Sequence, residues 1–204
     1  MATARRIGAR AHQRARERAV PSLLYALVRV LVVPIIRVWF RLHVFGAENV
    51  PPSGGVIIAP NHKSFLDPFF VGAATRRRVR YMAKIEMFRG PLRPLLVRLG
   101  AFPVRRGEAD GEALQTASEI LRQGGAVVVF PEGTRVDEPD ALGAPHHGAA
   151  RLALATGAPI VPTAVVGTAG LWLGPIPKPR RRTSGRMYRC RLRGCLILLT
   201  PSWA

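Results

Sequence analysis

A histidine and an aspartate five residues apart, His62 and Asp67, have side chains that could carry out acid–base chemistry. A carboxylate that accepts the N–H of one imidazole nitrogen leaves the other nitrogen able to take a proton from a hydroxyl. Side chains five residues apart do not meet on a regular helix, where spacings of three and four do. The pair therefore predicts a turn or an irregular helix start, which Asn61, Ser64 and Pro68 favour. The alternative is a loop histidine beside a capping aspartate.

A second block of candidate residues, the sequence FPEGTR at 130–135, follows the strand-like run AVVV at 126–129. Together with the histidine and the aspartate, this block makes the chain resemble the glycerolipid acyltransferases, the family that includes the 1-acyl-sn-glycerol-3-phosphate acyltransferases. The family motif N-H-x4-D is matched by Asn61, His62 and Asp67, and the motif F-P-E-G-T-R is matched in full.

Two further motifs of the family are matched in part or in outline. G-x-x-F-I-x-R is matched at Gly100 and Arg106, but Pro103 and Val104 take the places of its phenylalanine and isoleucine. The apolar V/I-P block of the family resembles the residues IVP at 160–162. The motifs keep the family's order, and the resemblance covers roughly residues 56–166.

The resemblance implies an acyl transfer in which His62 is the general base and Asp67 fixes the tautomer of its ring. The acceptor hydroxyl would attack a thioester directly, without an acyl-enzyme intermediate. The acyl donor would be acyl-CoA or an acyl carrier protein (acyl-ACP). No metal ion and no other cofactor are expected.

The acceptor that the resemblance implies is a lysophospholipid, most simply lysophosphatidic acid. A guanidinium group matches phosphate oxygens with two parallel hydrogen bonds, which makes Arg106 and Arg135 the candidate phosphate ligands. Another lysophospholipid or a glycolipid as acceptor, or a catalytically impaired membrane-binding relative, fits the same motifs. The residues predicted to bind substrate are Asn61, Arg106, Glu132, Gly133, Thr134 and Arg135.

Four polar residues near these motifs are given no chemical role. Lys63 and Ser64 lie between the fixed positions of the first motif, and Ser64 lacks the elbow motif of a serine nucleophile. His146 and His147 lie in a loop rich in glycine and proline.

Short apolar runs that alternate with helical patterns must position the site residues. Such alternation is typical of an α/β fold with a mostly parallel central sheet flanked by helices, in which ligands bind beyond the carboxyl ends of the strands. Each motif lies at the end of such a run. We predict strands within 41–50 and at 56–59, 79–83, 101–104, 126–130 and 160–166, and helices at 69–74, 90–100, 110–123 and 149–156.

The chain divides by composition into four segments. Residues 1–20 are an arginine-rich arm that we predict to be disordered, and residues 43–178 form the acyltransferase domain. Residues 21–42 form an apolar, membrane-associating helix. This helix either lies in the interface with its arginines directed to lipid phosphates, or spans the bilayer, or packs in the core. Residues 179–204 are an atypical basic tail, and nothing in 186–204 resembles the strand and helix that close the family's fold.

The chain is strongly basic, with 31 lysines and arginines against 12 acidic residues and a net charge of +19. Such an excess indicates an anionic partner. No nucleic-acid recognition motif is present, and basic and apolar segments are adjacent, so we expect an anionic phospholipid membrane and no nucleic acid. The protein would act at the cytoplasmic face of the cell membrane, as a peripheral or single-pass protein. Cys190 and Cys195 are interpreted as reduced thiols, with a disulfide as the alternative.

Overall fold

Apolar runs form strands in this protein because their side chains are buried on both faces of a sheet. Val56, Ile57 and Ile58 of the central run are fully buried. Successive side chains of a strand point to opposite faces, and here Val56 and Ile58 enter one apolar core while Ile57 enters the other. Burial on both faces is typical of parallel strands that helices cover.

The computed structural model describes residues 2–17, 22–91, 93–105, 110–136, 138, 141–169 and 196–201, so Arg106, Cys190 and Cys195 lie outside the described residues. The strands are β1 (His43–Phe45), β2 (Val56–Pro60), β3 (Val79–Lys84), β4 (Phe102–Val104), β5 (Ala126–Val128), β6 (Ile160–Val166) and β7 (Leu196–Leu199). The helices are α1 (Ala2–Glu17), α2 (Ser22–Trp39), α3 (Asp67–Ala74), α4 (Arg93–Arg98), α5 (Gly111–Arg122) and α6 (Gly148–Thr156).

The described strands form one seven-stranded sheet in the order β1-β7-β6-β2-β5-β3-β4. Neighbouring strands are parallel except for β6 and β7, which are antiparallel. This mostly parallel sheet flanked by helices confirms the predicted α/β class. Because β2 and β5 run side by side, with Ile58 opposite Val128, the residues that follow these two strands meet at one edge of the sheet.

Helices cover both faces of the sheet. α2 and α3 lie on one face, where Phe70 and Val71 of α3 belong to the buried core. α1, α5 and α6 lie on the other face, where Ala117 and Ile120 of α5 pack in the same core as Leu152 of α6. The two cores pack the sheet between two layers of helices.

The arginine-rich arm predicted to be disordered is instead a helix, α1, which packs against α5 and β4. His12 and Ala15 are buried on one side of this helix. Nδ1 of His12 lies 2.9 Å from Oγ1 of Thr116, which also accepts a hydrogen bond of 3.0 Å from Nε of Arg16. Burial lowers the pKa of His12, and the nearby carboxylate of Glu112 opposes this shift. The prediction was wrong because it counted charges and overlooked this buried side of the helix.

The apolar segment predicted at residues 21–42 forms α2, which packs on one side and is exposed on the other. On the packed side Ile36 is buried, and the Tyr25 hydroxyl donates to the carbonyl of Arg77 at 3.1 Å. Arg29 points to the protein rather than to lipid, because its guanidinium donates to the carbonyl of Thr75 at 2.6 Å. Within the described residues, no helix combines the length and the apolarity needed to cross a membrane. The exposed side carries the large apolar residues Leu23, Leu27, Val30, Leu31, Ile35, Val38 and Trp39.

The basic tail contributes β7, which corrects the prediction that nothing in residues 186–204 resembles a closing strand. β7 lies between β1 and β6 in the sheet, and its Ile197 and Leu199 are buried. The Asn49 side chain donates to the carbonyl of Leu199 at 2.8 Å, and the N–H of Thr200 donates to the carbonyl of Pro162 at 3.0 Å. The strand's partners lie far away in the sequence, so four apolar residues in a basic segment gave no local signal of their pairing.

The contact between β7 and the turn after β1 predicts the effect of one glycine substitution. Gly46 has a left-handed φ of +74°, and a β-carbon there would overlap the carbonyl oxygen of Leu199. We expect Gly46→Ala to lower the free energy of unfolding by about 3 kcal/mol, from a left-handed penalty of about 1–2 kcal/mol plus a disrupted strand contact. Urea unfolding monitored by circular dichroism measures this loss.

Gly54 supplies the matched control, because its φ is +78° but a β-carbon there would meet nothing within 4 Å. Gly54→Ala should lower the free energy of unfolding by only about 1–2 kcal/mol. Equal losses for the two variants would contradict the packing of β7 against this turn.

Candidate active site

The two candidate catalytic residues come from consecutive elements at the carboxyl edge of the sheet. His62 lies in the loop that follows β2, and Asp67 is the first residue of α3. Nδ1 of His62 is 2.9 Å from Oδ2 of Asp67, a hydrogen-bonding distance. Both residues are buried. The structure therefore brings this predicted pair into contact.

One carboxylate oxygen explains how side chains five positions apart can meet. Oδ2 of Asp67 also accepts the backbone N–H groups of Lys63 at 2.6 Å and Ser64 at 2.7 Å. The N–H of Asp67 in turn donates to the carbonyl of Ser64 at 3.2 Å, so residues 64–67 form a turn directly ahead of α3, as the sequence predicted. The other oxygen, Oδ1, has no hydrogen-bond partner among the residues that the structure describes.

The hydrogen bond fixes which nitrogen of His62 carries the proton. An ionised carboxylate can only accept, so the neutral ring must be protonated on Nδ1 and must keep a lone pair on Nε2. In the described part of the chain no group hydrogen-bonds to Nε2. The ring stacks on Phe130, with centroids 4.1 Å apart and an interplanar angle of 28°. This stacking and the bond to Asp67 hold the imidazole in one orientation.

The FPEGTR block forms a turn beside the histidine. The N–H of Gly133 donates to the carbonyl of Phe130 at 3.0 Å, and Gly133 has a φ of +64°. Proline in the second position suits such a turn. Glu132 is buried, and its Oε2 has no hydrogen-bond partner in the described ranges. Thr134 is exposed and Arg135 is half-buried.

A second connection joins the two motifs through the backbone. The N–H of Val136, just after the FPEGTR block, donates to the carbonyl of His62 at 2.9 Å. The structure thus brings His62, Asp67 and the residues of this block to one place, as the sequence predicted, whereas their roles toward a substrate stay predictions.

The side-chain nitrogen and oxygen of Asn61 each bond to the neighbouring strand. Its Nδ2 donates to the carbonyl of Val165 at 3.0 Å, and its Oδ1 accepts the N–H of Val165 at 2.6 Å. This pair of bonds joins the end of β2 to β6 and positions the residue that follows, His62. The structure gives Asn61 a positioning task, and its predicted contact with substrate stays a prediction.

Arg106, the second candidate phosphate ligand, lies outside the described residues. Its neighbour Arg105 follows β4, and its N–H donates to the carboxylate of Asp110 at 2.8 Å. β4 is the third strand from β2 in the sheet order, so at about 4.8 Å per strand their ends lie roughly 14 Å apart. The phosphate role of Arg106 stays a prediction.

Two residues for which the motifs indicate no chemical role lie at the site. Nζ of Lys63 donates to the carbonyls of Glu138, at 2.6 Å, and Ala141. The ring of His146 lies against Gly133. The contacts of Lys63 and of His146 both depend on the path of the loop after the FPEGTR block. No local sequence pattern predicts that path.

Comparison with known proteins shows the family of this chain. The model of the family described as Acyltransferase matches residues 41–166, which is more than half of the chain. The chain belongs to the acyltransferase family. The site residues from Asn61 to Arg135 all fall inside the matched segment.

Relatives of this acyltransferase-family chain include named enzymes. It is 33% identical to the 1-acyl-sn-glycerol-3-phosphate acyltransferase of Bacillus subtilis over 126 residues, which cover 61% of this chain and 62% of that protein. It is 32% identical to a probable 1-acyl-sn-glycerol-3-phosphate acyltransferase of Mycoplasma genitalium over 130 residues, 60% of this chain and 48% of the relative. The chain therefore spans less than two thirds of the length of these relatives.

A solved structure has the same fold. The crystal structure of the 1-acyl-sn-glycerophosphate (LPA) acyltransferase PlsC from Thermotoga maritima superposes with a TM-score of 0.62 at 22% identity. The superposition covers 96% of this chain and 77% of that one.

The contacts of Lys63 predict that it holds the loop over the site. Lys63→Met keeps the aliphatic length and the backbone N–H but removes both hydrogen bonds to the loop. Hydrogen bonds from a charged group contribute about 1.5–3 kcal/mol. The amides of Val136 and His146 should therefore exchange with deuterium about tenfold faster or more.

Lys84 is the matched control, because it is half exposed and contacts Glu86 at 3.7 Å on the neighbouring segment. Lys84→Met should leave the exchange of the loop amides unchanged. If Lys63→Met also left it unchanged, Lys63 would not be the group that holds the loop.

Proposed function

We propose that this chain transfers a fatty acyl group from acyl-CoA or acyl-ACP to the free hydroxyl of lysophosphatidic acid at a membrane surface. The observation that supports this most directly is the buried His62–Asp67 hydrogen bond beside the FPEGTR turn. Membership of the acyltransferase family and relatives named 1-acyl-sn-glycerol-3-phosphate acyltransferases support the same reaction.

The proposed chemistry begins at Nε2 of His62. This nitrogen takes the proton of the acceptor hydroxyl while the hydroxyl oxygen attacks the carbonyl carbon of the thioester. A new C–O bond forms, the C–S bond of the tetrahedral intermediate then breaks, and the thiolate leaves. The imidazolium returns its proton to the thiolate, so that the enzyme ends the cycle unchanged.

Asp67 supports this cycle through its charge. When His62 becomes an imidazolium, the carboxylate 2.9 Å away stabilises the positive charge. The pair is buried, and a low local dielectric strengthens such an interaction. The two backbone N–H groups on Oδ2 keep the carboxylate from turning away.

The FPEGTR turn is the proposed binding site for the acceptor's polar end. Arg135 carries a guanidinium whose geometry suits a phosphate group. Glu132 offers a buried carboxylate oxygen, Oε2, to which no described residue donates a hydrogen bond. This oxygen is suited to accept from an acceptor hydroxyl or from an arginine that binds the phosphate. Arg106 is proposed as a second phosphate ligand.

The exposed side of α2 is the proposed membrane-binding surface. Its apolar residues include Val38 and Trp39, whose exposed fractions are 79% and 78%. Arg37 in the last turn of this helix and Arg41 just after it are exposed and positively charged, which suits an anionic phospholipid surface. Peripheral attachment at the cytoplasmic face would bring the site to its lipid acceptor. We do not expect nucleic acid to compete for this surface.

An acceptor panel with active-site variants tests the reaction. We expect turnover with lysophosphatidic acid and acyl-CoA or acyl-ACP, and a fall in kcat of about 10²–10⁴ for His62→Gln and for Asp67→Asn, because each removes the oriented base. Another lysophospholipid or a glycolipid as the best substrate would move the assignment to that acceptor. Absence of turnover on the whole panel would indicate an impaired relative.

His43→Gln is the matched control for the histidine variant. His43 is exposed on β1, at the edge of the sheet, so its substitution should leave kcat unchanged. Near-normal turnover of His62→Gln would show that another group is the base.

Vesicle binding tests the membrane surface. Val30→Glu combined with Val38→Glu places charges on the exposed side of α2 and removes two apolar groups that each contribute about 1.5–3 kcal/mol when buried. Co-sedimentation at high salt with vesicles of phosphatidylcholine and phosphatidylglycerol should weaken roughly a hundredfold. Leu154→Glu on α6, where the side chain is 88% exposed, should have no effect. A similar loss for both variants would argue against α2 as the membrane surface.

A further inference from the structure

The loop that precedes α6 returns to the FPEGTR turn and packs on it. The N–H of His146 donates to the carbonyl of Pro131 at 2.8 Å. A β-carbon at Gly143 would lie 3.3 Å from Cβ of Glu132 and 2.9 Å from a methyl group of Val136. The backbone of residues 143–146 thus lies directly against this turn, which fixes where the side chain of His146 begins.

The imidazole of His146 covers Gly133. A β-carbon at position 133 would lie 2.8 Å from Cδ2 and 3.1 Å from Nε2 of this ring. Gly133 is therefore needed for two reasons, its left-handed φ of +64° and the space that the ring occupies. The two contacts of His146, through its N–H and through its ring, place the side chain against the turn.

The two ring nitrogens of His146 could form hydrogen bonds with a ligand. The side chain is exposed, and for neither ring nitrogen does the described part of the chain supply a hydrogen-bond partner. An imidazole can donate one N–H when neutral and two when protonated. It lies against Gly133, which directly precedes Thr134 and Arg135 in the block to which the acceptor phosphate is assigned, and His62 already supplies the base.

We propose that His146 is a further substrate-binding residue, whose ring donates a hydrogen bond to the phosphate group of the lysophospholipid acceptor alongside Arg135. This inference rests on the proposed function, because that function supplies the phosphate. It extends the site by a residue from the loop before α6, outside the FPEGTR block. Its ring acts on binding of the acceptor and not on the proton transfer at His62.

Substitution of the ring tests this role without removing the backbone contact to Pro131. Loss of a hydrogen bond to a charged group costs about 1.5–3 kcal/mol. His146→Ala should therefore raise the KM and the Kd for a short-chain lysophosphatidic acid roughly 10–100-fold, with the donor KM unchanged. His146→Lys supplies a cation at the same place and should restore most of the affinity. Kinetics and isothermal titration calorimetry give the two constants independently.

Two controls separate a phosphate contact from a structural role. His147 is exposed and makes no side-chain capping bond to α6, so His147→Gln should leave both constants unchanged. A monoacylglycerol has no phosphate, so His146→Ala should not change its binding. An unchanged acceptor KM, an equal rise in the donor KM, or no recovery with His146→Lys would each overturn the proposal.

Failure of the proposed function would give a different result. If the wild-type protein bound lysophosphatidic acid but did not turn it over, the proposed reaction would be wrong. The Kd values of the wild type and His146→Ala, measured by calorimetry, would still decide the role of His146. If the wild-type protein did not bind it at all, both proposals would fall.

Discussion

One oxygen of Asp67 accepts three N–H groups, and the arrangement of the site depends on this carboxylate. It binds the backbone N–H groups of Lys63 and Ser64 and holds the ring of His62 in one tautomer, and it is buried at the start of α3. A buried charge is costly unless hydrogen bonds compensate it. Here the compensating hydrogen bonds come from the ring of His62 and from the backbone of Lys63 and Ser64. The same bonds therefore stabilise the buried carboxylate and orient the proposed base.

The sheet supplies the second constraint, because parallel strands end at the same edge. β2 delivers His62, and β5, its neighbour, delivers Phe130 and the FPEGTR turn. Phe130 stacks on the imidazole, and Val136 donates to the carbonyl of His62. Motifs that are far apart in the sequence therefore meet because strand order places their ends side by side. The loop before α6 reaches this edge through its backbone, since the N–H of His146 donates to the carbonyl of Pro131.

The sequence predicts what depends on local patterns and fails where partners are distant. Short apolar runs predicted the strands, and β6 was predicted with its observed limits because Ile160–Val166 is apolar except for Thr163. The spacing of His62 and Asp67 predicted the turn that joins them. The helix α1 was not predicted, because its sequence is rich in arginine and its buried side is defined only by packing against α5. β7 depends on pairing with strands far away in the sequence. The contact of His146 with Gly133 depends on how the loop before α6 packs on the FPEGTR turn, and no local residue pattern specifies either arrangement.

The tautomer of His62 tests the central claim most directly, since the proposed base needs a free lone pair on Nε2. Long-range proton–nitrogen correlation spectra of the histidine side chains, recorded where the imidazole is neutral, report which ring nitrogen carries the proton. The structure predicts a proton on Nδ1 of His62, and loss of this preference in Asp67→Asn. A proton on Nε2 of the wild-type ring would contradict the account, because that nitrogen could not then accept a proton from a hydroxyl.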